Sequence, residues 1–143
     1  HPGGSSSKAA VHYAAFSPDG QSLALACADG ALRLWDLSKP KEGAGALRAA
    51  PVGMPLRCCC YSPSGLLLAT AAEGCSVVRL WDVATGQEAG EALAAPAGAG
   101  GVRAIGFSCS GRILATAADD GCVYLYVRLG RVRVGCWAWE GLT

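Results

Sequence analysis

The chain has 143 residues, and its 12 basic and 11 acidic side chains nearly cancel. This balance does not favour nucleic acid or an anionic membrane as a partner of the whole surface. Hydrophobic residues make up 52% of the chain, enough for a buried core, but no run reaches the roughly 18 uncharged apolar residues of a membrane span.

The first residues are rich in Pro, Gly and Ser, and we expect residues 1–10 to be a flexible lead-in. The sequence starts at His1 without an apolar leader, so we interpret the chain as a piece of a longer polypeptide. Three of its eight cysteines are consecutive, at Cys58–Cys60, and would alternate between the faces of a strand. Because that is a poor disulfide framework, we expect free thiols and an intracellular location, cytoplasmic or nuclear.

Two short motifs recur in phase along the chain. The first is an aromatic residue followed by a polar turn, and the second is a strand that ends in an aromatic residue. The aromatic residue of the turn motif is Phe16, Tyr61 or Phe107, and that of the strand motif is Trp35, Trp81 or Tyr126. Three copies at a nearly constant period, 45 or 46 residues, indicate a repeat protein.

The repeat residues have structural roles in turns and strand ends. They are Phe16, Pro18, Asp19, Gly20, Asp29, Trp35 and Asp36 in the first unit, Tyr61, Pro63, Gly65, Trp81 and Asp82 in the second, and Phe107, Gly111, Asp120 and Tyr126 in the third. Proline presets φ in a type I turn, and glycine closes it. An Asp-Gly pair predicts a tight hairpin because both residues tolerate positive φ.

Strand-like patterns fill each unit. The first unit has Val11–Phe16, Gln21–Cys27, Ala31–Asp36 and a weak outer strand at Ala46–Ala49; the second has Leu56–Tyr61, Leu66–Ala71, Ser76–Asp82 and Glu88–Leu93; the third has Val102–Phe107, Arg112–Ala117 and Cys122–Val127. No segment shows sustained helical periodicity. Four short strands per unit predict a propeller blade rather than an αβ repeat.

The units resemble the Trp-Asp (WD) repeats of β-propeller proteins over about Val11 to Val127. The resemblance implies an all-β fold, a partial β-propeller with three four-stranded antiparallel blades in an open arc. We expect blades at residues 11–50, 51–98 and 99–130, with 131–143 as a tail or outer strand. A propeller closes with about four to eight blades, so we expect further blades from the same polypeptide or from a second copy. The isolated chain should therefore be poorly soluble or self-associated in sedimentation.

The units depart from the WD pattern at its buried hydrogen-bond network. The family's Gly-His pair is missing, because the corresponding positions are about Ser7, Val52 and Gly98. Thr70 and Thr116 fit the hydroxyl position, which is Leu25 in the first unit. We therefore expect Trp35 and Trp81 to be held mainly by packing.

No pattern predicts catalysis, a cofactor or a metal site. Gly106–Ser110 resembles a nucleophile elbow except at its last residue, and it aligns with the turns of the other units. Cys58–Cys60 lacks partner ligands at zinc spacing, so we interpret it as small buried residues. The carboxylate pair Asp119-Asp120 is better explained by a hairpin turn at Asp120-Gly121.

One set of polar residues recurs by position. His12, Arg57 and Arg103 each follow the first residue of a predicted inner strand. In a propeller they would lie near one rim of the central channel, where two arginines could grip a carboxylate or a phosphorylated peptide. The alternative is that they are solvated or pair within their own blades.

The resemblance implies a non-catalytic protein–protein interaction scaffold that binds peptides or other proteins. One alternative is the substrate-receptor part of a ubiquitin ligase complex, because Cys58–Gly65 and Val102–Gly121 look like WD repeats joined to U-box or SOCS-box modules. Another is an RNA-associated assembly factor that uses Arg128, Arg131 and Arg133. A third is a truncated product without independent activity.

Overall fold

The computed structural model describes residues 10–39, 41, 44–48, 54–90, 92–94, 98–127 and 134–138. These residues form twelve β-strands and no α-helix, so none of the described segments is a helix that could cross a membrane. Residues 1–9 of the lead-in predicted at residues 1–10, and Arg128, Arg131 and Arg133, lie outside the described residues.

The strands form three antiparallel sheets of four, each built from consecutive strands. Blade 1 contains β1 (Val11–Phe16), β2 (Ser22–Cys27), β3 (Ala31–Asp36) and β4 (Ala44–Arg48); blade 2 contains β5 (Leu56–Tyr61), β6 (Leu67–Ala72), β7 (Val77–Asp82) and β8 (Leu93–Ala94); blade 3 contains β9 (Val102–Phe107), β10 (Ile113–Ala118), β11 (Cys122–Val127) and β12 (Val134–Ala138). The predicted fold class, three four-stranded antiparallel blades in an open arc, is confirmed.

The second strand of each blade starts one residue later than predicted. A serine hydroxyl in the preceding turn accepts a hydrogen bond from the first strand amide. The bonds join Ser22 N to Ser17 Oγ at 3.0 Å, Leu67 N to Ser62 Oγ at 3.2 Å and Ile113 N to Ser108 Oγ at 3.1 Å. The residue before each strand, such as Leu66 with 67% of its surface exposed, therefore still belongs to the turn.

The outer strands differ most from their predicted positions. The strand predicted at Ala46–Ala49 lies at Ala44–Arg48. Only the ends of the strand predicted over Glu88–Leu93 pair with β7: Glu88 forms an isolated bridge with Trp81, and β8 covers Leu93–Ala94. Gly90 lies between these ends with a φ of 75°, a left-handed conformation that interrupts extended backbone.

Each blade has two different faces, because successive strand residues point to opposite sides of a sheet. We call one the aromatic face and the other the alanine face. The aromatic face carries Leu23, Leu25 and Trp35 in blade 1, Leu68, Thr70 and Trp81 in blade 2, and Leu114, Thr116 and Tyr126 in blade 3. The alanine face carries Ala24, Ala26 and Leu34 in blade 1, Ala69, Ala71 and Leu80 in blade 2, and Ala115, Ala117 and Leu125 in blade 3.

The core lies between the blades, where an aromatic face stacks on an alanine face. One cluster packs Leu68 and Trp81 of blade 2 against Ala24 and Ala26 of blade 1. The other packs the aromatic face of blade 3 against the alanine face of blade 2 in the same way. The side chains of alanine are short, so two sheets approach closely and the larger residues of the facing blade fill the space.

The aromatic residues of the three blades are held differently. Trp81 packs in the core between blades 1 and 2, and its Nε1 also donates a hydrogen bond to Thr70 Oγ1 at 2.9 Å. Trp35 Nε1 is buried without a partner among the described residues, because blade 1 has Leu25 where blade 2 has a threonine. In blade 3 the hydroxyl oxygens of Thr116 and Tyr126 are both buried and neither makes a hydrogen bond of good geometry within the described chain.

Thr70→Val should lower the free energy of unfolding by about 1–3 kcal/mol, because it leaves the buried Trp81 N–H without an acceptor. The matched change Thr116→Val should have a smaller effect, because the Thr116 hydroxyl makes no hydrogen bond of good geometry within the described residues. Urea unfolding followed by tryptophan fluorescence measures both. Equal losses in the two variants would contradict this assignment.

Candidate functional site

A β-bulge interrupts the pairing near the start of the inner strand in every blade. The pairing with the second strand skips His12 in β1, Arg57 in β5 and Arg103 in β9. A bulge adds one unpaired residue and changes the direction of its side chain. The three residues that the sequence predicts at one rim are therefore the bulged residues.

The bulges are closed by equivalent backbone hydrogen bonds. The donor is the first residue after the second strand, and the acceptor is the carbonyl oxygen two residues before the bulged residue. The bonds join Ala28 N to Ala10 O at 2.7 Å, Glu73 N to Pro55 O at 2.8 Å and Asp119 N to Gly101 O at 2.9 Å. The position that carries Glu73 and Asp119 is thus fixed beside each bulge.

Blade stacking brings the bulged residues together along one cleft, which we call the bulge cleft. Its wider part, of about 480 Å³, lies where blade 1 meets blades 2 and 3, and its narrower part, of about 220 Å³, lies between blades 2 and 3. Arg57, Glu73 and Arg103 line both parts. The wider part is also lined by Val11, His12 and Tyr13, and the narrower part by Gly74, Gly101, Val102 and Asp119.

Arg103 is paired at the side of the cleft. Its Nε donates to Asp119 Oδ1 in an ion pair, and Asp119 Oδ2 accepts the Gly101 amide at 2.9 Å. The hydrogen bond from Arg103 is the main reason that the pKa of Asp119 lies below its ordinary value, followed by the bond from Gly101. The Arg103 side chain is still 64% exposed, so this pair is open to solvent and to competing ligands.

The carboxylate of Asp119 approaches the backbone of the preceding loop closely. A Cβ atom at Gly100, where φ is 78°, would lie 2.8 Å from the Cβ atom of Asp119. A side chain at Gly101 would meet Asp119 Oδ2 at 3.1 Å and the backbone of Gly74 at 3.0 Å. Glycine at these two positions therefore lets the loop donate its amide to Asp119.

His12 is tethered to the next blade. Its Nδ1 lies 3.0 Å from the carbonyl oxygen of Leu56. A carbonyl oxygen can only accept, so Nδ1 carries the proton and donates this bond. In the neutral ring, Nε2 is then unprotonated and can accept a hydrogen bond.

Arg57 differs from the other two bulged residues. It makes no hydrogen bond or ion pair within the part of the chain that the structure describes, although Glu73 lines the same cleft. Its positive charge acts at a distance, because it contributes to the lowered pKa of Asp119. Of the three bulged residues, Arg57 has the donors that are most available to a ligand.

The other repeat residues hold turns at a distance from the bulge cleft. The turns that begin at Phe16, Tyr61 and Phe107 lie at the opposite ends of the inner strands, where Pro18 and Pro63 line a separate cleft. Asp29 and Asp120 accept backbone amides in their hairpins, and Asp36 and Asp82 do so after the third strands.

The cysteine cluster lies in β5 and is buried or partly buried as free thiols. Burial raises the pKa of Cys58 to about 11 and the pKa values of Cys59 and Cys60 to about 12. These thiols are therefore protonated near neutral pH and are poor nucleophiles. Within the described residues, no group of three or more His, Cys, Asp or Glu side chains is placed to hold a metal ion.

Sequence reasoning identified the bulged residues but missed the acidic residues beside them. Glu73 and Asp119 both follow the second strand of their blades, at the position of Ala28 in blade 1. Aligning the three units at this position would have shown that Glu73 and Asp119 each follow the second strand of a blade whose inner strand carries an arginine.

A family model described as "WD domain, G-beta repeat" matches the chain at residues 3–36, 51–82 and 92–126. None of the curated proteins compared with the chain matches it.

The pKa of Asp119 should lie below the ordinary value of 3.8 in an NMR titration of the folded chain. Arg103→Gln should raise this pKa towards 3.8, because it removes the largest favourable contact of the carboxylate. A depressed carboxyl pKa stabilises the fold above the unfolded-state value, so this contribution should be lost as the pH falls below about 3.8 and through the folded-state value. Arg57→Gln is the matched control and should cause a smaller shift; an equal or larger shift would contradict the pairing.

Proposed function

The chain belongs to the WD40 family of WD-domain, G-beta repeats, and from this premise we propose that it is a non-catalytic protein–protein interaction scaffold. In this proposal it contributes three blades to a larger propeller and binds an extended peptide at the bulge cleft. WD40 repeats are generally protein-interaction modules, which supports the coarse assignment. The ligand class is inferred from the cleft itself.

The observation that carries the proposal is the convergence of one bulged residue from each blade on one cleft. A guanidinium presents a planar fork of donors that matches a carboxylate or a phosphate. Arg57 has no partner among the described residues, so its donors need not break an existing contact to bind such a group. We therefore propose a peptide with an anionic side chain, either a carboxylate or a phosphorylated residue.

The neighbouring acidic residues restrict which anion binds. Glu73 lines both parts of the cleft, and Asp119 neutralises Arg103 at its edge. These carboxylates would repel a highly charged polyanion, whereas a peptide with a single anionic group could bind Arg57 without approaching them. Val11 and Tyr13, each about half exposed, offer apolar contacts next to it. This combination favours one anionic group within an otherwise apolar peptide.

We also propose that the scaffold acts inside the cell, in the cytoplasm or nucleus. Seven of the eight cysteines, which are Cys27, Cys58, Cys59, Cys60, Cys75, Cys109 and Cys122, are free thiols, and this suits a reducing compartment. Cysteines of an extracellular domain would more often be paired.

Arg57→Ala should weaken binding of a phosphopeptide by about 10- to 100-fold, because it removes charge-assisted hydrogen bonds. The probe is a fluorescein-labelled peptide with one phosphoserine between apolar residues, compared with its glutamate and serine forms by fluorescence anisotropy. The matched control is Arg112→Ala, an exposed arginine next to the turn at the far end of blade 3. Arg57→Lys keeps the positive charge but loses the planar fork of donors, so its affinity for the phosphopeptide should lie between those of the wild type and Arg57→Ala.

Wild-type affinity in both Arg57→Ala and the double variant with Arg103→Ala would overturn the proposal. An equal loss in Arg112→Ala would mean that the peptide responds to net charge alone. The same comparison with captured partners of the full-length protein extends the test from the synthetic peptide to natural ligands.

A further inference from the structure

The turns of blades 1 and 2 form a second cleft, at the ends of the inner strands that lie opposite the bulge cleft. We call it the turn cleft; it has a volume of about 580 Å³, and its lining includes Pro18, Asp19, Tyr61, Pro63, Leu66 and Val83. This volume lies within the range of ligand pockets, about 300–1,000 Å³. Both blades that form the cleft are already stacked on each other, so it exists without any further blade.

One side of the turn cleft is apolar. Leu66 is 67% exposed, Pro63 is exposed beside it, and Val83 is partly exposed. Tyr61 is partly exposed as well, but its hydroxyl oxygen is buried and is therefore not part of the surface that it offers. This side suits a hydrocarbon chain.

The other side carries a carboxylate with one uncommitted oxygen. Both hydrogen bonds of the Asp19 side chain go to Oδ1, from Ser17 Oγ at 2.6 Å and from the Gln21 amide at 2.9 Å. These two bonds are the main reasons that the pKa of Asp19 lies below its ordinary value, so the group is ionised near neutral pH. Within the described residues Oδ2 accepts no hydrogen bond, and its lone pairs are available to a ligand.

This combination of a carboxylate and a leucine is specific to the junction of blades 1 and 2. At the junction of blades 2 and 3, the equivalent of Asp19 is Ser64 and the equivalent of Leu66 is Arg112. The turn cleft is lined by no basic side chain of the described residues. Its charge is therefore negative, and it is complementary to a cation.

The charges just outside the turn cleft preserve this sign. Asp36 lies near enough to Asp19 for the two carboxylates to repel each other, and Lys39 offsets the charge of Asp36 in part. Neither residue lines the cleft. Asp19 is thus the charged group that a ligand in the cleft meets directly.

We propose that the turn cleft binds a lysine side chain of a partner protein. The aliphatic stem of lysine packs on apolar surface while its ammonium stays at the polar edge, as the two sides of this cleft require. Arginine fits less well, because its planar fork is matched to two carboxylate oxygens, and Oδ1 of Asp19 already accepts two bonds. An ammonium is a compact charge that can use Oδ2 alone. This site differs in charge and in place from the bulge cleft, and it does not depend on the ligand proposed there.

The probe is a fluorescein-labelled peptide with one lysine between apolar residues, measured by fluorescence anisotropy with the full chain. The same peptide with Nε-acetyllysine keeps the stem and loses the charge, so its affinity should be at least about tenfold lower. The arginine form should also bind more weakly than the lysine form.

Two variants and a control locate the contact. Asp19→Asn keeps an Oδ1 acceptor for the turn but removes the charge, and should weaken binding of the lysine peptide by about 10- to 100-fold. Leu66→Arg introduces the residue that blade 3 carries at this position, so the turn accommodates it, and its positive charge should cause a similar loss. The matched control Asp36→Asn removes the same charge from the same blade outside the lining, and the affinity should stay within about twofold.

No saturable binding of the lysine peptide to the wild type at about 1 mM would overturn the inference, as would equal affinity for the acetylated form. Wild-type affinity in both Asp19→Asn and Leu66→Arg would overturn it too, and so would an equal loss in Asp36→Asn. Tighter binding of the arginine peptide would refute the choice of lysine. Circular dichroism checks that each variant folds, and Leu66→Arg retains the test if Asp19→Asn does not. Phosphopeptide binding at the bulge cleft is measured separately and should be unchanged in Asp19→Asn, so failure of one proposal is distinguishable from failure of the other.

Discussion

The stacking of an aromatic face on an alanine face is the constraint on which the rest of the structure depends. None of the three sheets buries a core by itself, because its apolar residues alternate between two faces, and each face is buried only when another blade packs on it. Ala69 and Ala71 are buried only through blade 3, and Leu68 and Trp81 only through blade 1. The stability of each blade is therefore shared with its neighbours, as expected for a repeat architecture.

The same stacking brings the β-bulges of the three blades together, so that they form one site, the bulge cleft. A single bulge changes the direction of one side chain, which has no functional meaning by itself. Because the inner strands of stacked blades lie side by side, three bulges in the same position place His12, Arg57 and Arg103 along one cleft. The bulged residues then differ in their contacts: His12 meets a carbonyl oxygen, Arg103 meets a carboxylate, and Arg57 has no hydrogen-bond or ion-pair partner among the described residues.

Most strand positions could be predicted from the sequence, because turns and alternation depend on neighbouring residues. The strand predicted at Glu88–Leu93 pairs with β7 only at its ends, because Gly90 adopts a positive φ that no alternation pattern reveals. The sequence identified Thr70 as a candidate hydroxyl, but only the structure shows that it accepts a hydrogen bond from the Trp81 indole. The contact of Asp119 with Arg103 was missed because its sequence neighbours suggested only a hairpin.

The sequence by itself determined the period, the turns and the position of the recurrent polar residue, because these follow from local backbone preferences repeated in register. Only the tertiary structure decided which of those polar residues has a partner. The contact of Arg103 with Asp119 joins residues 16 positions apart, and that of His12 with Leu56 joins residues 44 positions apart in different blades. Such pairings depend on strand register and on the separation of stacked sheets, and both are set by packing rather than by any residue's neighbours in the chain.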